Sequence, residues 1–113
     1  MSKQIKIKDN KNNVEYVLEY NRNSLEVMER QGFIADQFTE KPAIMFPLAF
    51  KGAFLMHHSN AKTSDVEALF NTIKDKDKMM GTLMNMMNDC YQSLMNNDVN
   101  EEDAKNVSWE IVE

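Results

Sequence analysis

Catalytic and metal sites are most often built from histidine, cysteine and clustered carboxylates, and this chain holds few of them. His57-His58 is its only histidine pair. Adjacent residues on a helix point about 100° apart, so the two imidazoles do not converge on one metal as an i, i+4 pair would. No cysteine or carboxylate stands with them at ligand spacing. They read as surface or helix-end histidines. Cys90 is the single cysteine, which excludes an intrachain disulfide framework and a multi-thiolate zinc site. A nucleophilic thiol needs a base and an activating environment, and nothing near Cys90 in the sequence supplies them. It reads as a half-buried small apolar residue. Glu101-Glu102-Asp103 lie in a polar tail, where no rigid scaffold holds two carboxylates at catalytic separation. Gly32, Gly52 and Gly81 are isolated, so there is no glycine-rich phosphate loop. The expectation is a protein without catalytic residues, metal or cofactor.

Methionine is the residue type out of proportion. There are ten in 113 residues, and six of them fall between Met79 and Met95. Met is flexible and polarizable, so it fills irregular cores and also serves adaptable binding surfaces. Both readings fit here: core alone, or core plus a protein-binding groove. The groove, if present, is expected to be lined by Phe46, Phe50, Phe54, Met80, Met84, Met87 and Tyr91.

The elements that would position these residues follow from periodicity. Ile5 and Ile7 alternate with Lys6 and Lys8, and Val14, Tyr16, Leu18 and Tyr20 alternate with Glu15 and Glu19. Asp9 to Asn13 is a turn, so the first twenty residues predict a β-hairpin with one buried face. Lysines on one strand and glutamates on the next could pair across it. Asn23 and Glu26 have capping-box spacing and Gly32 suits the position after a helix end. Phe33, Ile34 and Phe38 make the next link apolar enough to tuck under the domain. From Thr39 to Ser59 the chain is apolar nearly all round a helix, with Pro42 suited to its first turn and Pro47 set to kink or interrupt it. Ser64 to Glu67 reads as a second capping box, opening a helix whose stripe is Val66, Leu69, Phe70 and Ile73. Met79 to Met95 forms a long amphipathic helix. The fold class is therefore α+β: an N-terminal β-hairpin packed on a small bundle of about four helices. Val107, Trp109 and Ile111 alternate with polar residues and predict a short C-terminal strand, paired with the hairpin or exposed as an arm until a partner supplies a sheet edge.

Charge divides the chain. Residues 1–97 carry 12 basic and 12 acidic side chains, whereas 98–113 hold six acids against Lys105 alone. This predicts one domain over 1–97 and an acidic tail over 98–113. A negative chain without basic stripes is no default partner for nucleic acid or anionic membrane. The longest apolar run is the eight residues from Ala43 to Phe50, and a membrane span needs about 20. With no secretory h-region near Met1, the expected place is the cytoplasm.

Taken in order, the segments resemble a known family. They are Val14-Glu15-Tyr16-Val17-Leu18-Glu19-Tyr20, Asn21-Arg22-Asn23-Ser24, Leu25-Glu26-Val27-Met28-Glu29, Gln31-Gly32-Phe33, Lys41-Pro42 to Phe46-Pro47-Leu48, Phe50-Lys51-Gly52-Ala53-Phe54 and Asn106-Val107-Ser108-Trp109-Glu110. Together they resemble the small tail assembly chaperones of siphophages and prophages of Gram-positive bacteria. The likeness covers nearly the whole chain, and its motifs are packing and turn residues. It implies a non-virion protein of the bacterial host cytoplasm that coats the tape measure protein, keeps it soluble and helps tail tube subunits polymerise around it, with no cofactor and no covalent chemistry. It also implies two product lengths through programmed frameshifting. Ala104-Lys105-Asn106 can be encoded with a −1 slippery heptamer. The competing reading is a small regulatory binding protein, antitoxin- or inhibitor-like, using the acidic tail. An exposed apolar helix would also favour self-association.

Overall fold

The computed structural model describes residues 3–95 and 105–112. The hairpin is formed by β1 (Ile5–Asp9) and β2 (Val14–Leu18), antiparallel, with Ile5 opposite Leu18, Ile7 opposite Tyr16 and Asp9 opposite Val14. Its turn is an Asp-led one. Asp9 Oδ1 accepts from the backbone N–H of Lys11 at 3.1 Å and of Asn12 at 3.3 Å, and Asn13 takes a left-handed φ of 53° that asparagine tolerates well. Hydrogen bonding by the Asn12 side chain holds the Asp9 carboxyl below its ordinary pKa. Lys8 stands opposite Glu15 and Lys6 opposite Val17. No lysine–glutamate ion pair closes across the hairpin among the described residues, so the expected cross-strand charge pairing is absent.

Four helices follow: α1 (Arg22–Arg30), α2 (Pro42–Gly52), α3 (Thr63–Thr72) and α4 (Lys76–Leu94). The chain is thus α+β, a hairpin followed by a four-helix body. The cap of α1 is Asn21 rather than Asn23. Its side chain accepts from the Ser24 N–H at 2.8 Å, and the Ser24 hydroxyl accepts from the Asn21 N–H at 2.8 Å. The reciprocal box is therefore two residues earlier than the Asn23–Glu26 spacing implies. At the other end Phe33 N–H reaches Met28 C=O and Gly32 N–H reaches Glu29 C=O, with Gly32 at φ 102°. These two bonds form a Schellman end, for which the left-handed conformation favours glycine. In α3 the helix begins at Thr63, so Ser64 lies inside the first turn and makes no cap. In α4 it begins at Lys76, three residues before the apolar stripe.

α2 is the axis of the body and packs against α1, α3 and α4. Pro42 opens it, and the helix continues past Pro47, so that proline does not end it. A run of aromatic contacts threads the core along α2. Phe33 meets Phe38 at 5.8 Å, Phe46 meets Phe70 at 4.8 Å, Phe50 meets Phe54 at 5.2 Å, and Phe54 meets Tyr16 of the hairpin at 5.3 Å. All four pairs are edge-to-face, as the ring quadrupole favours. Phe33 and Phe38 tuck under the body as expected, but Ile34 between them faces solvent. Residues 107–112 pair with no strand, so the sheet has two strands among the described residues. No described helix is long and apolar enough to cross a membrane.

Candidate interaction surface

The residues with the chemistry of a site are used as fasteners. His57 and His58 follow α2 and reach the residue after β2 and β2 itself, respectively. The backbone N–H of Val17 donates to His58 Nε2 at 2.8 Å. A backbone N–H can only donate, so Nε2 holds the lone pair and His58 carries its proton on Nδ1. His57 Nε2 lies 2.8 Å from Glu19 Oε1, which also accepts from Gln4 Nε2 at 2.8 Å. The two rings stand 6.4 Å apart and diverge, as their adjacency implies. Glu19, placed by alternation on the solvent face, is only 6% exposed. Its backbone turns inward as Glu19 N–H bonds to Ala53 C=O, and its side chain is held by these partners.

Cys90 is half-buried, and burial pushes its thiol pKa up, which keeps it protonated and poorly nucleophilic. No group of three metal-ligating side chains converges among the described residues. Glu101, Glu102, Asp103 and Ala104 lie outside the described residues. Lys105 and Asn106, the rest of the slippery codons, form a turn.

The expected groove is not assembled as an open surface. Phe46, Phe50, Phe54 and Met87 are buried core residues, Phe50 completely so. They cannot line a groove because α2 has helices on three sides and the hairpin against its C-terminal end. Met80, Met84 and Tyr91 are half-buried on α4 and packed against the core. The Tyr91 hydroxyl donates to Glu29 Oε2 at 2.9 Å and so ties α4 to α1. Burial, and then this bond to a carboxylate, push its pKa above the ordinary phenol value. Of the methionine-rich stretch, Met86 and Met87 are buried and Met79, Met80 and Met84 are half-buried, so the core reading accounts for most of it.

Apolar surface is exposed elsewhere. Between α2 and α3 a cleft of about 300 Å³ is walled by Ile44, Pro47, Leu48 and Phe70, with Gln31, Lys51 and Glu67 at its margin. Ile44 is 60% exposed. This cleft is the feature that sequence reasoning missed. Ile44 and Leu48 are one helical turn apart at the rim of α2 beside α3, Ile44 exposed and Leu48 half-buried, and an all-round apolar pattern gives no sign of which side chains lie at that rim. The second apolar surface is the C-terminal arm. Val107, Trp109, Ile111 and Val112 are all exposed, Trp109 by 85%.

No curated protein and no solved structure matches the chain. A family model described as a domain of unknown function, DUF5055, matches residues 1–112, and the chain accordingly belongs to the DUF5055 family.

Proposed function

We propose that this protein is a phage tail assembly chaperone that binds apolar helical stretches of a tape measure protein, keeps that protein soluble, and assists tail tube polymerisation without covalent chemistry. The observation that carries the reading is the α2–α3 cleft, an uncovered apolar surface in a body whose polar side chains serve as structural ties. The order of segments along the chain, which resembles that family over nearly its whole length, supports the same reading. A shallow cleft of this size accepts one or two side chains. A coat that must later be shed needs weak contacts of that kind, with avidity supplied by repetition along the coated chain. The basic and acidic rim residues Lys51 and Glu67 offer no bias toward a charged ligand, which suits a partner with varied sequence. The protein acts in the bacterial host cytoplasm and is absent from the finished virion.

Co-expression with a tape measure fragment tests this. The fragment should be soluble and co-purify with the wild type, and Ile44→Asp should lower both while the variant stays folded. Equal solubility of the fragment with and without the protein would sink the proposal. Detection of the protein in purified virions at structural copy number would also count against it.

A further inference from the structure

The hairpin has one closed edge and one open edge. Val17 N–H points to His58 and Glu19 N–H to Ala53, so the outer edge of β2 is sealed by the segment that follows α2. In an antiparallel pair, residues directly opposite each other point their N–H and C=O groups either both inward or both outward. Val17 points outward and stands opposite Lys6. Lys6 therefore presents its backbone N–H and C=O to the outer edge of β1, and so does Lys8 two residues on. Among the described residues no hydrogen bond reaches either backbone group from outside the hairpin. The lysine side chains are exposed, while Ile5 and Ile7 on the opposite face are only half-buried. Both therefore keep apolar surface that a neighbouring strand could cover.

The arm has the complementary pattern. Residues 107–112 alternate apolar and polar from Val107 to Ile111, with Glu110 on the side opposite to Trp109 and Ile111. Val107, Trp109, Ile111 and Val112 are all exposed, and residues 107–112 pair with no strand among the described residues. A free strand edge and a free strand-like segment with opposite charges on the same molecule are the parts of a strand-addition interface.

We propose that residues 107–112 of one copy add as a third strand to β1 of a second copy of this chain. Trp109 and Ile111 then cover Ile5 and Ile7, and Glu110 lies beside Lys6 and Lys8. Each copy has one arm and one open edge, so reciprocal exchange closes a two-fold dimer.

Sedimentation of the full chain over a wide concentration range, with amide exchange of Lys6 and Lys8, tests it. The wild type should pass from monomer to dimer as concentration rises, with the two amides becoming protected in step. Trp109→Asp lies in the exposed arm and should leave the fold intact while raising the dimer dissociation constant about tenfold or more. Lys6→Pro removes only an outward N–H, which edge strands tolerate, and should weaken the dimer likewise. Lys8→Glu should weaken it, and adding Glu110→Lys should restore it. Three results would overturn the proposal: a monomer at every concentration, a dimer that survives both Trp109→Asp and Lys6→Pro, or protection of the Lys6 and Lys8 amides in the monomer, which would mean that the arm returns to its own chain.

Discussion

At the scale of single residues, several polar groups hold the hairpin to the helical body. The bond from Val17 N–H to His58 Nε2 is the clearest case, because no other acceptor for that N–H is in place. His58→Ala should cost about 1–3 kcal/mol by leaving a part-buried donor unpaired. Urea unfolding measures the loss, and faster amide exchange at Val17 locates it. His58→Gln, which keeps an acceptor oxygen, should recover part. Tyr20 is the matching tie in the core. Its hydroxyl donates to Ala49 C=O at 2.6 Å, and burial pushes its pKa above the ordinary phenol value. The sign of the pH effect follows. A raised folded-state pKa means that folding favours the protonated phenol. The contribution is whole below the unfolded value of about 10 and is lost as pH climbs past it. Stability should therefore fall with alkali from about pH 10 upward. Tyr20→Phe should lose about 1 kcal/mol near neutrality. It should also show a shallower decline above that pH, with the remaining slope owed in part to Tyr91. Equal alkaline slopes in wild type and Tyr20→Phe would rule Tyr20 out as the source.

At the scale of elements, the packing of α1 on α2 depends on one missing side chain. A methyl group at Gly52 would overlap Sδ and Cγ of Met28, which is itself fully buried. Gly52→Ala should destabilise by about 1–3 kcal/mol, as overpacking does. Met28→Ala in that background should cost less than it does alone, because the first substitution has already displaced the thioether; a double-mutant cycle by chemical denaturation reads the coupling. Additive losses would show that the two positions are independent. This contact also marks where sequence reasoning stops. The hairpin, the Gly32 helix end, Pro42 at the start of α2 and the stripe of α3 were legible because each depends on local chemistry: period-two alternation, a left-handed glycine, a missing N–H, period-3.6 alternation. The Asn21 cap was equally local, but Asn23 offered a rival spacing and the backbone chose the earlier asparagine. Glu19 was not legible. Alternation assigns it to solvent, and only the return of the chain at Ala53 and His57, more than thirty residues on, turns it inward. The candidate groove failed for the same reason. Aromatic and methionine spacing shows that α2 and α4 have apolar faces but not which faces other helices cover.

At the scale of the whole molecule, the charge divides into a balanced body and an acidic tail. The body closes its core around α2 and leaves apolar side chains exposed at the α2–α3 cleft, on the arm, and singly elsewhere, as at Ile34 and Met95. A surface kept apolar for a partner contributes little to folding, so it can be told from core by stability alone. Ile44 and Phe46 make the comparison sharp, because they are two residues apart on one helix and both are large and apolar. Phe46 is nearly buried and packs edge-to-face on Phe70. Phe46→Ala should cost about 3–5 kcal/mol, a large share of the stability of a small domain. Ile44→Asp introduces a full charge, yet it should change stability by no more than about 0.5 kcal/mol, because the side chain it replaces is mostly in water already. Thermal and urea unfolding of the two variants decide the matter without any partner present. If Ile44→Asp lost as much as Phe46→Ala, the cleft would be part of the folding core and could not be a surface held open for binding.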